Sequence, residues 1–581
     1  MPDRQIQDET DLVVIGSGAT GLTAALTATL HGLDCLVLEH EAVIGGTSAR
    51  SSGTVWVPDN HLMRAAGMAA DRPLAEAYLA TLVDGHGDAA LWRAFLDAAP
   101  RMLLALDRDA GLAFRAYLTA PDYRQDLPGA APGGRALEPL PFDGRTLGRQ
   151  FARLGWPLRE LMVFGGMMVT RGEAAKLLTA DRSPTAAWLG LRLTARFFAD
   201  RLRYARGTRL VLGNALVGRL LHALLERGVP VLTEAVPARL LTEGGRVIGV
   251  EVALAGEMRR IAARCGVILA GGGFPANAEW RARELPHPTA AYTPAAPGCD
   301  GSSIALGLAA GAALGPSGRD NALWFPSSVA TRADGTTAVY PHIVLDRAKP
   351  GCIAVDASGR RFVDEAVSYH QFVRAMYAGP GRIPAWLVCD RAFIRRYGLG
   401  IIRPRTPVIG GYVRSGYLRE AGTLEGLAAA IGVPPAAFAD TVARFNRFAA
   451  AGADTDFYRG ENIYDRSNGD PAVAPNPCLG PIATAPYYAV PLWPTPLGTS
   501  RGLSASVDAQ ALDARGRPIP GLYACGNDMH SAFGGEYPGA GAQLGQAMTF
   551  AWLAARHAAG IARDASPPTA APPPHMQRMD N

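Results

Sequence analysis

The chain alternates short apolar runs bounded by glycine with longer amphipathic stretches. Asp11 to Ile15 is apolar and runs into Gly16, an alanine-rich amphipathic stretch covers Gly21 to His31, and a second apolar run covers Cys35 to Leu38. Runs of this length around a helical period predict strand, helix, strand. From Met63 to about Arg219 the apolar spacing is mostly helical, interrupted by the Pro/Gly-rich stretch Pro121 to Gly144, which reads as a long loop with a functional purpose. Val231 to Leu269 alternates apolar and polar positions around Glu243-Gly244-Gly245, predicting a small antiparallel meander that ends in the strand Cys265 to Ala270. Residues 275 to 495 are richer in proline, tyrosine and tryptophan, with strand-like pieces. Beyond them, Pro520 to Gly526 predicts a strand running into glycine and Leu544 to Ala559 a helix. Residues 564 to 581, with five prolines, predict a disordered tail.

Length and composition narrow this picture. A chain of 581 residues is too long for one hydrophobic core, and 48% hydrophobic content with 67 glycines suits a large globular protein in which backbone approaches other groups closely. The net charge of +5 is spread along the chain, which argues against a nucleic-acid partner. The arginine-rich stretch Ala195 to Arg209 reads as a solvated helix face, with peripheral membrane contact as the most it implies. No apolar run approaches the roughly 20 residues of a membrane span, and Met1 to Glu9 is polar and acidic, so a cytoplasmic location is expected. The seven cysteines (Cys35, Cys265, Cys299, Cys352, Cys389, Cys478 and Cys525) form no CxxC, and the histidines form no ligand-spaced cluster, so no metal site is expected.

Gly16-Ser17-Gly18-Ala19-Thr20-Gly21 follows the first predicted strand and opens the first predicted helix, with Glu39 ending the next strand. In a dinucleotide-binding fold Gly16 permits the tight turn, and Gly18 lets amides approach a pyrophosphate at the helix N-terminus. Gly21 lets helix and strand pack, and Glu39 accepts ribose hydroxyls. The small-residue runs Gly45-Gly46-Thr47-Ser48 and Ser51-Ser52-Gly53 give a flavin room against backbone, which favours FAD over NAD. No second GxGxxG stands in strand and helix context, so electrons are expected to reach an external acceptor such as a quinone. The fold expected is α/β: a Rossmann-like FAD-binding domain built from both chain ends, residues 10–274 (with a helical insertion) and 496–563, and an inserted α+β capping domain, residues 275–495. Residues 1–9 and 564–581 are expected tails.

Gly359-Arg360-Arg361-Phe362-Val363-Asp364-Glu365 leading to Tyr369, and Glu536-Tyr537-Pro538-Gly539-Ala540-Gly541-Ala542, carry a closer resemblance. Over roughly residues 10 to 562 the chain resembles the fumarate reductase and succinate dehydrogenase flavoprotein superfamily, and within it the 3-ketosteroid dehydrogenases. The resemblance implies Tyr369 as catalytic base, Tyr537 with the Gly541 amide as a clamp on the C3 carbonyl, and Tyr123 as the tyrosine supporting the base, with Tyr117 as the alternative. It also implies that Gly526 and Asn527 form the second flavin motif, where an acidic residue is usual in place of Asn527. Gly271 implies the return strand near the adenosine end. Ala19, Val236 and Leu544 complete the expected cofactor contacts. FAD is expected to be non-covalent, because no histidine or cysteine is marked out as a link.

The implied reaction is 1,2-dehydrogenation of a 3-ketosteroid, with C1 hydride passing to flavin and the C2 proton to tyrosine. Dehydrogenation at C4 and C5 is the close alternative. A fumarate-type reductase is another, although Gln543 stands where such enzymes place an arginine, leaving Arg391, Arg395 and Arg396 as candidate carboxylate ligands. Donors aimed at the carbonyl oxygen stabilise enolate charge by roughly 3 to 4 kcal/mol each. A phenol with its ordinary pKa of about 10 is protonated at neutral pH, so Tyr369 is expected to have a lowered pKa; a shift of about two units takes roughly 2.7 kcal/mol.

Overall fold

The computed structural model describes residues 8–562 apart from 178–179, 181–182 and 344–345; the expected C-terminal tail and most of the N-terminal one lie outside the described residues. The first sheet is parallel at its centre. Glu9–Ile15 pairs with Cys35–Leu38 on one side and with Glu257–Leu269 on the other, and Val231–Leu232 extends the first edge. Leu12 to Val14 have no exposed surface, which is why this strand is an unbroken apolar run rather than an alternating one. The chain returns to the sheet near its end: Pro518–Ala524 lies parallel to Glu257–Leu269, with Val267 opposite Leu522 and Leu269 opposite Ala524. The N-terminal helix Ala19–Leu30 packs on the final helix Ala542–Ala558, so the two ends of the chain close over one core. The meander appears as Ala235–Glu243, Arg246–Leu254 and Glu257–Leu269, antiparallel, turning at Gly244 and Gly245 with both φ positive.

A second, antiparallel sheet is built from residues 322 to 499. Ala322–Thr331, Tyr487–Thr499 and Ala385–Asp390 lie side by side at its centre, with Thr337–Pro341 and Cys352–Val355 at the edges and Arg419–Ala421 beside Tyr487–Thr499. Its edge segment leads through Glu365 into the helix Tyr369–Tyr377. Three buried charges anchor that path: Glu365 accepts two hydrogen bonds from Arg361 at 2.8 Å and one from Arg459 at 2.9 Å.

The stretch Pro121 to Gly144 is more ordered than its composition predicts. Ala136–Pro139 pairs with Val55–Trp56 and with Phe114–Ala116, and Phe142–Asp143 pairs with Arg209–Leu210. Arg135, 1% exposed, donates two 2.8 Å hydrogen bonds to Asp71 and one of 2.5 Å to Asp122. Removing one partner from such a buried network costs about 3–5 kcal/mol, enough to hold the segment in one shape. The basic stretch Ala195 to Arg209 is helical only as far as Arg201, and the solvated face of its helix, Pro184–Arg201, carries apolar residues beside the arginines.

Candidate active site

Two cavities meet beside the final helix. The first, about 250 Å³, is walled by Gly16, Gly18, Glu39, Gly46, Thr47, Ser48, Val236, Gly271, Asn527 and Leu544, all marked by the sequence. Gly16 has φ +107°, and a Cβ there would stand 2.3 Å from the Ala270 carbonyl oxygen, so the turn itself requires glycine. Gly18 is different. Its backbone is extended, and an added Cβ would meet nothing nearer than Ser48 Oγ at 3.5 Å, so its missing side chain only keeps the cavity open. The helix behind it starts without a side-chain cap and presents amides and a positive dipole end to that space.

The other marked residues shape the wall from behind. Ala19 N–H donates to Ser48 Oγ at 3.0 Å, Gly45 N–H donates to Ser17 Oγ at 3.0 Å, and Ser17 donates to the Glu39 carboxylate through N at 3.0 Å and Oγ at 2.6 Å. Added Cβ atoms at Gly21, Gly53 and Gly526 would strike Gly16 O, Gly213 N and Thr20 Oγ1 respectively, so these glycines serve packing. Ser52 lines the second cavity instead of the first. Asp528, next to the non-acidic Asn527, is buried and accepts from Gly271 N at 2.6 Å, Gly273 N at 2.8 Å and Ser303 Oγ at 2.5 Å. The turn's carboxylate thus ties down the glycine loop.

The second cavity, about 320 Å³, has largely apolar walls, among them Leu158, Leu161, Met162, Met168, Phe325 and Ile343. It shares Ser51, Leu497, Gln543 and Leu544 with the first. Tyr123, Tyr369, Tyr537 and Gly541 all line it. Tyr123 OH donates to Tyr369 OH at 2.6 Å. The Tyr537 ring is 5.5 Å from that of Tyr369 and nearly perpendicular to it, and 5.4 Å from that of Tyr123. Tyr369 is the first residue of its helix, capped by Ser368, whose Oγ accepts from Gln371 N at 3.3 Å. Tyr123 N–H donates to the Pro538 carbonyl at 3.0 Å, which ties the loop to the segment carrying Tyr537. Tyr117 also lines the cavity, with the Arg171 guanidinium 5.9 Å from its ring centre; the residue bonded to Tyr369 is Tyr123. Gly541, at φ +90°, caps the final helix, and a Cβ there would lie 2.4 Å from Thr54 O.

Sequence reading missed Tyr464, whose ring lies 5.2 Å from that of Tyr123; no motif surrounds it. Gln543 was visible as a departure from arginine, and it bridges the two cavities while donating to Asn527 Oδ1 at 2.9 Å. Arg391, Arg395 and Arg396 are exposed, and none lines either cavity. Ser328, His342 and Asp346 form a serine–histidine–aspartate chain with contacts of 2.7 and 2.6 Å. All three are buried, Tyr417 also bonds Ser328, and none lines these two cavities, so the chain serves packing of the second sheet.

The electrostatics correct one expectation. Burial raises the pKa of Tyr369 and Tyr123 well above the ordinary phenol value, and that of Tyr537 to about 12. For Tyr369 the neighbouring phenols Tyr123 and Tyr537 add to the rise. The helix dipole at Tyr369 opposes it by about 0.3–1 kcal/mol, less than one pKa unit, so Tyr369 rests as a neutral phenol.

Residues 11–544 match the family described as FAD binding domain. The chain belongs to that family. This flavoprotein is similar to 4-oxocyclohex-2-ene-1-carboxylate 5-dehydrogenase of Sinomonas cyclohexanicum, with 37% identity over 95% of this chain and 94% of that one. It is also similar to 3-oxosteroid 1-dehydrogenase of Mycolicibacterium smegmatis, with 36% identity over 95% and 98%. Among solved structures it resembles 3-ketosteroid Δ1-dehydrogenase from Sterolibacterium denitrificans in complex with 1,4-androstadiene-3,17-dione, with a TM-score of 0.88, 37% identity, and coverage of 95% of this chain and 100% of that one.

FAD is the flavoprotein's cofactor, and the first cavity fits it. A helix N-terminus whose cap residue Gly18 brings no side chain faces a cavity kept open at that glycine, and a carboxylate stands at the end of the second strand, the arrangement a pyrophosphate and ribose require. Burial pushes the pKa of Cys299, a thiol in the wall of this cavity, up to about 11, so it stays protonated at neutral pH.

Proposed function

We propose that this flavoprotein dehydrogenates 3-ketosteroids between C1 and C2. The observation that carries this reading is the hydrogen-bonded Tyr123–Tyr369 pair beside Tyr537 in an apolar cavity that opens onto the FAD cavity. Bound FAD supplies the acceptor for the hydride leaving C1. Tyr537 OH and the Gly541 amide hold the C3 carbonyl oxygen and stabilise the charge that develops there as the C2 proton leaves. Tyr369 takes that proton in its phenolate form, after its own proton has left to solvent, and becomes a neutral phenol; before the transfer Tyr123 stabilises the phenolate by donating its hydrogen bond. Gly16, Gly18, Glu39, Gly46 to Ser48, Gly271 and Asn527 hold the cofactor. The FAD-binding unit is residues 10–274 with 500–562, four residues later than expected because the strand Tyr487–Thr499 belongs to the second sheet, and the residues between cap it. Electrons then leave to an external acceptor of the quinone class. Incubating the holoprotein with androst-4-ene-3,17-dione and an artificial acceptor is expected to yield the 1,4-diene. Oxidation only of a 5α-saturated ketone at C4 and C5, or reduction of fumarate alone, would overturn the assignment.

We further propose a cytoplasmic protein that docks on anionic membranes through the helix Pro184–Arg201, although among the described residues no helix is long and apolar enough to cross a membrane. Trp188, Leu191, Phe198 and Leu202 are 65%, 60%, 56% and 86% exposed, at helical spacing on one face, with Arg192, Arg196, Arg201 and Arg203 also exposed. Leu193 and Phe197 on the buried side pack with Met167, next to the cavity residues Met168 and Val169, so the stripe lies close to the substrate cavity. An apolar face ringed by arginine fits an interfacial helix. Co-sedimentation with vesicles rich in phosphatidylserine is expected and should be lost in Trp188→Glu/Phe198→Glu; equal sedimentation of both proteins would remove the helix from the reading.

A further inference from the structure

Arg171 opens the helix Arg171–Leu177 and lines the second cavity with Tyr117, Tyr464 and Asn468. Its guanidinium is held in place by a 2.9 Å hydrogen bond from Nη2 to Asn468 Oδ1 and by the Tyr117 ring. Both partners are neutral. The acids nearby are already engaged: Glu173, two residues along the helix, accepts from Arg209 at 2.6 Å, and Glu138, the acid lining the cavity, accepts from Arg115 at 2.9 and 2.6 Å. Among the described residues Arg171 forms no salt bridge. Of the five N–H donors of a guanidinium, the hydrogen bond to Asn468 uses one. A half-buried cation that is fixed in direction, has donors to spare and lines a largely apolar cavity is arranged to receive an anion, and its planar fork matches a carboxylate. Arg50, the other arginine in the wall, directs Nη1 to the Ala295 carbonyl at 3.2 Å.

We propose that Arg171 binds a carboxylate carried by the substrate away from its ketone, so that ring ketones bearing an acid group are preferred over neutral ones. This rests on the dehydrogenase reading above and names the substrate class of the same cavity. Two sources share the chemistry: a monocyclic oxo acid, and a 3-ketosteroid with a carboxylate side chain. The charge of Arg171 also acts on Tyr123 and Tyr464, lowering both phenols against the larger effect of burial, which puts the cation within electrostatic range of the tyrosine cluster.

The test measures dissociation constants from the shift of the bound flavin spectrum, which requires no turnover. The ligands are 4-oxocyclohexanecarboxylate and a 3-oxo-4-ene steroid with a carboxylate side chain, each paired with its methyl ester. The holoprotein is expected to bind at least one acid on the order of 10-fold or more tighter than its ester, about 1.4 kcal/mol or more, and the acid that does so identifies the source. Arg171→Gln, with flavin content verified, should bring the acid-to-ester ratio close to one, and Arg171→Lys should retain part of it. Equal affinity of acids and esters in the natural protein, or a ratio unchanged in Arg171→Gln, overturns the proposal. Flavin reduction by neutral androst-4-ene-3,17-dione reports separately on the dehydrogenase reading.

Discussion

Tyr369→Phe is expected to slow flavin reduction by substrate by a factor on the order of 100 or more, with substrate affinity little changed. In the proposed mechanism the phenolate oxygen of Tyr369 takes the C2 proton, and an interaction made only in the transition state is lost from the rate rather than from binding. The ring remains to pack against Phe325, whose centre lies 4.2 Å away, so the variant keeps the wall of the cavity. Tyr537→Phe should behave differently. In the proposed mechanism its hydroxyl donates to the ketone in the ground state and more strongly as enolate charge grows, so both affinity and rate should fall. Anaerobic stopped-flow reduction, with flavin content matched, separates the two patterns. A Tyr369→Phe variant that reduces its flavin at the natural rate would show that another group takes the proton.

The rate of flavin reduction is expected to climb about tenfold per pH unit from pH 6 to 9, a span of roughly a thousandfold, without a plateau. The sign follows from the direction of the shift. Burial and the neighbouring phenols raise the Tyr369 pKa well above the ordinary value, so across this range the phenol is almost wholly protonated. The reactive phenolate is then a small fraction that grows tenfold for each unit of pH. Tyr537, raised to about 12, stays protonated and keeps its donor throughout. Tyr369→Phe should abolish the slope. A flat profile, or one that levels near neutrality, would mean that bound substrate or flavin lowers the phenol far more than the protein alone does.

The glycine motif, its strand and helix, Glu39 and the returning C-terminal strand were legible in the sequence, because backbone conformation and close approach are local demands that only certain residues meet. Gly16 illustrates this: its φ and its 2.3 Å clearance from Ala270 O admit no other residue. The motifs around Tyr369 and Tyr537 were legible as a resemblance. What composition misjudged were features set by contacts between distant segments. The Pro/Gly-rich stretch is rigid because Arg135 finds Asp71 and Asp122, 64 and 13 residues away. The exposed face of the helix Pro184–Arg201 carries Arg192 and Arg196 beside Trp188, Leu191 and Phe198, while its buried side is spent on a small local core.

The sequence by itself determined the dinucleotide-binding architecture and the kinds of residue available for chemistry. Tertiary structure alone decided which of them meet. It selected Tyr123 over Tyr117 as the residue bonded to Tyr369, added Tyr464 and Gln543, and left Arg171 in a largely apolar cavity with no carboxylate partner among the described residues. It also reversed the expected direction of the Tyr369 pKa. A motif records which group is present, whereas a phenol's acidity depends on the solvent removed from it and on the charges brought near, and both are properties of segments hundreds of residues apart closing on one another.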